Sequence, residues 1–167
     1  MKPEIVKADK ENLIEIMFLL RQCANDLISK GFSHWNSAYP SHLTVSEDLK
    51  NGSLYLLKQN GGTIGIITLN DIQDPSYNQL SWKSDCHALI VNRLAIIPLF
   101  QNRGFAKILM TFAEEFAKKE GYKSIRLDTF AGNENTVRFF ENCGFSRVGE
   151  VSLSKDLNIY ACFEKQL

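Results

Sequence analysis

Val91–Met110 reads VNRLAIIPLFQNRGFAKILM, an apolar run, a proline, a polar junction and an amphipathic run in succession. Its apolar start continues CHALI before it, so residues 86–97 are expected to form the longest strand of the chain. Pro98 stops that strand because it has no N–H for a ladder. Past Gly104, residues Phe105, Ile108, Leu109, Phe112, Ala113, Phe116 and Ala117 recur at spacings of three and four. That spacing predicts an amphipathic helix ending at Gly121. The junction between them, QNRGFA (Gln101–Ala106), is polar and carries a glycine. A helix N-terminus presents unpaired N–H groups and partial positive charge, so it attracts anions. Gly104 lets the backbone approach a phosphate closely, and Arg103 and Lys107 add charge at the mouth. Donors spread over several residues suit a pyrophosphate better than one carboxylate. Taken alone, the hexapeptide reads equally as a solvated turn. It is not a Walker loop, which needs other glycines and a Lys-Ser/Thr pair, nor a dinucleotide fingerprint, which needs more than one glycine.

Working outward, EIVKA (4–8) reads as a short strand. Asp9 can cap a helix whose apolar face is Leu13, Ile16, Met17, Leu20, Ala24, Leu27 and Ile28, closed at Gly31. Residues 32–42 read as an aromatic-rich loop. Thr44 and Glu47 have capping-box spacing for a short helix that ends at Gly52. SLYLLK (53–58) and TIGIITLN (63–70) flank NGG and predict a hairpin. Residues 71–85 form a long polar loop, a length that is usually functional. KSIRLDTF (123–130) is a strand, and ENTVRFFENCG (134–144) is a helix with Gly144 past its end. FSRVGEVSL and LNIYACFEK close the chain as an antiparallel pair. The order is β α α β β β α β α β β, an α/β (α+β mixed) fold. Residues 86–130 form one parallel crossover, and the rest of a single mixed, mostly antiparallel sheet has helices on both faces.

The 167 residues predict a single domain, 1–167, with no linker or repeat. With 44% hydrophobic and 23% charged residues, the chain has the composition of a soluble globular protein. The 19 basic and 19 acidic residues cancel, which argues against nucleic-acid and membrane-surface partners. Cys23, Cys86, Cys143 and Cys162 show no CxxC spacing, and His34 and His42 have no ligand-spaced partners, so no metal is expected. Neither a signal peptide nor a run long enough to span a membrane is evident, so a cytoplasmic location is expected.

QNRGFA resembles the Gln/Arg-x-x-Gly-x-Gly/Ala signature of the GNAT superfamily of acyl-CoA-dependent N-acyltransferases. The resemblance extends to VNRLAIIPLFQNRGFAKILM as central strand, pyrophosphate loop and helix. It extends again to IRLDTFAGNENTVRFFENCGF as the following Asn-x6-Tyr-x3-Gly-Phe region. It implies the GNAT fold, acetyl-CoA as co-substrate, and acyl transfer to an amine of a small molecule or peptide by direct attack. It implies that the amides of about Gln101, Asn102, Arg103, Gly104, Phe105, Ala106 and Lys107 hold the CoA pyrophosphate. Leu94, Ala95 and Ile96 would pair their backbone with the pantetheine arm like an added strand, in a slot where neighbouring strands splay. A strand amide at Leu94 or Ala95 would stabilise the oxyanion. Asn133, with Asn135 nearby, would bind the arm or adenosine side, and Phe139 and Phe140 would line the thioester end. Relatives often pair through their closing strands, so a homodimer accords with the resemblance.

The sequence departs from this pattern at Phe140, where the family's tyrosine is expected. Phenylalanine has no hydroxyl to protonate a leaving thiolate. The thiolate then leaves unassisted or takes its proton from water, another residue supplies the proton, or the protein is a non-catalytic acyl-CoA sensor. Ile90 and Asn92 stand where many relatives carry a carboxylate on the central strand. His87 is the nearest titratable candidate base, its other reading being a strand residue with no catalytic part. Asp128 and Glu150 are weaker candidates. Trp35, Tyr39, Tyr77 and Trp82 either wall an acceptor pocket or pack their loops onto the core.

Overall fold

The computed structural model describes residues 2–84, 87–153 and 156–167, and both Cys86 and Asp85 lie outside them. The element order is the expected one. It comprises β1 (Glu4–Lys7), α1 (Leu13–Ser29), α2 (His42–Lys50), β2 (Leu54–Gln59), β3 (Gly62–Asn70), β4 (Ala88–Ile96) and α3 (Phe105–Lys119). β5 (Ser124–Phe130), α4 (Glu134–Asn142), β6 (Ser146–Ser152) and β7 (Ile159–Gln166) complete it. The strands hydrogen-bond in the order β1-β2-β3-β4-β5-β7-β6. β4 and β5 run parallel, whereas β1·β2, β2·β3, β5·β7 and β6·β7 are antiparallel. The chain divides into two compact units, one of residues 1–69 and 93–109, the other of 70–92 and 110–167.

In the first unit, the two-residue period of β2 and β3 sorts their side chains onto opposite faces. Leu54, Leu56 and Ile66 meet Ile16, Leu19, Leu20 and Cys23 of α1 and Val45 of α2. On the other face Gly65 lies against Leu109, so helices cover both faces. A side chain at Gly65 would strike the Ala95 carbonyl at 2.9 Å and the Ile96 side chain, so the glycine permits a close approach of β3 to β4. Three local expectations change here. Asp9 caps a 3-10 turn at Lys10–Asn12, and α1 starts only after it. The cap of α2 is Ser41, whose hydroxyl accepts the Thr44 amide, in place of a Thr44/Glu47 box. Of the apolar stripe of α3, Leu109 in this unit is fully buried while Ile108 is exposed, and Met110, Ala113 and Ala117, in the second unit, are fully buried.

In the second unit, pairing places Arg126 beside Glu164, Asp128 beside Cys162 and Phe130 beside Tyr160. That face carries the segment 71–84, whose Tyr77, Leu80 and Trp82 pack on Ala88, Ile90, Val151 and Tyr160. The opposite face carries Phe163, packed on Phe140 of α4, and Lys165, paired with Glu114 of α3. The segment read as loop contains a 3-10 turn, Pro75–Gln79, capped by Asp74 through the Ser76 amide. Proline at the first position and an aspartate before it explain that turn.

Candidate functional site

β4 is buried from Ala88 to Val91, opens at Asn92–Leu94, and closes again at Ala95 and Ile96. Its ladder with β5 covers Ala88–Ile90 against Ser124–Arg126, although β4 runs on to Ile96. Just past that ladder Arg93 has φ +49°, a left-handed conformation rare for a residue with a Cβ. Its side chain is tightly held. Nε donates to Asp48 Oδ2 at 2.6 Å, Nη2 to Asp48 Oδ1 at 2.7 Å, and Nη1 to the Tyr39 hydroxyl at 3.1 Å. Asp48 Oδ2 also accepts the Thr68 hydroxyl at 3.0 Å. The pair is buried, with side-chain exposures of 10% for Arg93 and 8% for Asp48. Burial alone would lower the Arg93 pKa, but the Tyr39 hydroxyl and the Asp48 carboxylate outweigh it and carry it above the ordinary arginine value.

The end of β4 is tied to the junction after it. The Ile96 carbonyl accepts the Gln101 side-chain amide at 2.9 Å and the Cys23 thiol at 3.4 Å. Burial, reinforced by Asp26, pushes the Cys23 pKa up to about 12, so the thiol keeps its proton and can donate. A 3-10 turn at Pro98–Phe100 follows, and it takes the Gln101 amide onto the Pro98 carbonyl. Gln101 is thus a structural tie, both through its side chain and through its amide.

The amides of Asn102, Arg103, Gly104, Phe105, Ala106 and Lys107 have no acceptor among the described residues. The next amide, Ile108, bonds the Gly104 carbonyl at 3.2 Å. Asn102 at φ +60° and Gly104 at φ +83° turn the chain so that these amides follow one another around the helix start. Nothing lies within 4 Å of where a Gly104 Cβ would stand. The first turn of α3 carries no acidic residue, whereas those of α1 and α4 carry Glu15 and Glu134. Arg103 lies over the Phe100 ring at 5.5 Å, and Phe105 packs against Phe100. Arg103 and Lys107 are exposed. The combination is an open, positively polarised helix start, a kind of arrangement that attracts anions.

In the second unit, Asn133 caps α4 through the Thr136 amide and Asn135 is exposed. Phe140 is 5% exposed, packed against Phe139, Phe145 and Phe163. His87 precedes β4 with its side chain 66% exposed, stacked on Tyr122 and 3.6 Å from Asp71. Glu150 pairs with Arg147. Tyr77 is 1% exposed and donates its hydroxyl to Asp128 at 2.5 Å. Burial first, then Asp128, hold the Tyr77 phenol well above its ordinary pKa. The Trp82 indole donates to the Tyr77 carbonyl at 2.8 Å, and the Arg126 guanidinium lies 4.4 Å over its ring. Trp82, Asn78, Leu80, Ser81, Ser84 and Arg126 line an open cleft of about 470 Å³. In the first unit, Trp35 packs against the α1 core, and Tyr39 meets Arg93. Of the four expected acceptor aromatics, Trp82 therefore lines a cleft, while the Tyr77 ring sits in core packing. Among the described residues no group of His, Cys, Asp or Glu gathers to hold a metal, and no helix is long and apolar enough to cross a membrane.

Sequence reasoning missed Asp48 and Arg93. The available signal was Asn92-Arg93, two adjacent polar residues inside an apolar strand, which no alternation between faces accommodates.

Comparison with known proteins bears on this arrangement. The profile of the acetyltransferase (GNAT) family matches residues 20–145. An uncharacterized N-acetyltransferase of Lactobacillus delbrueckii subsp. lactis is 27% identical over 154 residues, which is 88% of this chain and 86% of that protein. The chain spans about half the length, or less, of the mouse and rat N-acetyltransferases it also matches. Among solved structures, a GNAT-family acetyltransferase of Streptococcus agalactiae superposes with a TM-score of 0.85 at 22% identity, over 99% of this chain and 95% of that one. The PaiA N-acetyltransferase of Thermoplasma acidophilum, solved with coenzyme A, gives 0.78 at 18% identity over the whole of both chains. At these identities the two structures speak for the fold alone.

Proposed function

This chain belongs to the acetyltransferase (GNAT) family, and from that membership we propose that it transfers an acetyl group from a CoA thioester to an amine of a small molecule or peptide. The observation that carries the proposal is the unpartnered run of amides at Asn102–Lys107 around Gly104. A pyrophosphate fits it: six donors in sequence, a helix dipole behind them, two cationic side chains and no acid in the first turn. Bound acyl-CoA supplies the activated thioester.

The chain's own residues then bind and orient. Asn102–Lys107 hold the diphosphate, with Gln101 fixing the loop to the end of β4. Leu94–Ile96 offer backbone groups to the pantetheine arm as a strand would. An amide at Leu94 or Ala95 donates to the reacting carbonyl oxygen, where charge develops. Asn133, Asn135, Phe139 and Phe140 remain part of the proposed donor contacts, each to be tested by substitution. Phe140 supplies no proton, so the thiolate leaves unassisted or takes one from water. The base is proposed among His87, Asp128 and Glu150: His87 is exposed and accessible, while Asp128 is engaged by Tyr77 and Glu150 by Arg147. The expected single 1–167 domain and cytoplasmic location are kept with this reading. The acceptor class stays open, with Trp82 and its cleft as the first place to alter it.

A second reading rests on the absence of a hydroxyl at Phe140: an acyl-CoA sensor without turnover. Calorimetry with acetyl-CoA, followed by thiol release across a panel of amines and amino acids, separates the two. Binding with release on some acceptor supports transfer. Binding without release on any acceptor favours the sensor, and no binding at millimolar acetyl-CoA sinks both.

A further inference from the structure

We propose that Arg93 and Asp48 are positioning residues: the buried fork between them holds β4 in its left-handed kink, so that the Leu94 or Ala95 amide stays presented to the acyl carbonyl. The inference rests on the acyl-CoA reading and adds to it the device that keeps the proposed oxyanion donors in place.

A strand residue with a Cβ does not stay at φ +49° without support, because that conformation crowds the Cβ against the following carbonyl oxygen. Arg93 is followed at once by Leu94 and Ala95, so any relaxation of its backbone toward extended φ re-aims both amides. What opposes relaxation is geometric. The guanidinium is planar and its donors are fixed in a fork. Both carboxylate oxygens of Asp48 are engaged by that fork, at 2.6 and 2.7 Å, and one is pinned from a second side by Thr68. Asp48 belongs to α2, whose Val45 is packed without exposure in the α1 core, so the anchor point cannot drift. A third donor reaches Tyr39, tying the segment between α1 and α2 to the same residue. On the other side, Gly65 admits β3 to the Ala95 carbonyl so closely that β4 cannot shift toward it. An ion pair kept only for stability would sit as well on a regular strand residue. This one sits on the described residue of β4 whose backbone departs from the strand.

The test is amide NMR on the ¹⁵N-labelled full chain, titrated separately with acetyl-CoA and with CoA. In the wild type, Gly104 and Phe105 shift with both ligands, and Leu94 and Ala95 shift differently with acetyl-CoA than with CoA. In Arg93→Ala and Asp48→Asn the loop shifts persist and the acetyl-dependent difference at Leu94 and Ala95 is lost. Should Arg93→Ala fail to give dispersed resonances, Arg93→Lys keeps the charge without the fork and is expected to lose the difference too. A difference that survives in the folded variants overturns the positioning role and leaves the acyl-CoA reading standing. No loop shift in the wild type overturns the acyl-CoA reading, and this proposal with it.

Discussion

Two buried arginine–carboxylate pairs, Arg93–Asp48 and Arg126–Glu164, differ in what they hold. Arg93 makes two short bonds to both oxygens of one carboxylate, from a strand residue at positive φ. Arg126 lies in a regular ladder directly opposite Glu164, and its bond to that carboxylate is longer, at 3.4 Å. Its other donors go to Gln73 and to the Ser84 carbonyl, and its face is covered by Trp82. Glu164 in turn accepts the Lys83 amide at 2.9 Å. One arginine fixes a deviation of the backbone, and the other fastens a segment to a regular sheet. The same charge chemistry is spent on a kink in one unit and on a cover in the other.

Removing the carboxylate should separate the two pairs most strongly. Asp48→Ala leaves Arg93 buried without its counter-ion, and a loss of about 3–5 kcal/mol is expected in urea unfolding. Glu164→Ala should cost less, because Arg126 keeps Gln73 and Ser84. Equal losses would make the two pairs equivalent. Next in size is catalysis. With any acceptor the amine panel yields, Arg93→Ala should lower kcat by about a hundredfold, the scale of a small misplacement of reacting groups, with little change in KM for acetyl-CoA. A KM effect alone would speak for a binding role.

Gly104→Ala probes a second left-handed residue, in the loop after β4. Open space surrounds the position, so the cost is the left-handed backbone, about 1–2 kcal/mol or roughly tenfold in acetyl-CoA affinity by calorimetry. An unchanged affinity would count against a grip of this loop on the diphosphate. The smallest effect concerns alkaline pH in the second unit. Tyr77 has its folded pKa raised by burial and Asp128, so the protonated phenol is favoured in the native state. That contribution is complete below the unfolded tyrosine pKa near 10 and is lost as pH rises above it, by up to about 1.4 kcal/mol per pH unit. Urea midpoints between pH 8 and 11 should fall less steeply for Tyr77→Phe than for the wild type. Parallel curves would remove Tyr77 from the alkaline transition.

Much of this was legible in the sequence because it rests on period and punctuation. The stripes of α1 and α3, the glycines after the helices, and Pro98 gave the element order. The helix start at QNRGFA marked the run of unpartnered amides, since N–H groups there need no particular side chain. What escaped depends on partners distant along the chain. Arg93 meets Asp48 across 45 residues, and no local rule pairs them. Ser41 outcompeted Thr44 as a cap because both are equally good local signals. Tyr77 and Trp82 looked alike, yet Asp128 draws the Tyr77 hydroxyl inward while Trp82 keeps an edge on the cleft. Aromatic side chains serve walls and cores equally well, and only packing decides between them.

The Asn102–Lys107 amides are proposed to grip a diphosphate. The most direct measurement compares calorimetric titrations of the wild type with acetyl-CoA and with acetyl-pantetheine, which carries the same thioester and arm but no diphosphate. One acetyl-CoA per chain is expected, with far weaker binding of acetyl-pantetheine and with Gly104→Ala narrowing the gap. Equal affinity for the two, or a gap that Gly104→Ala leaves unchanged, would contradict it.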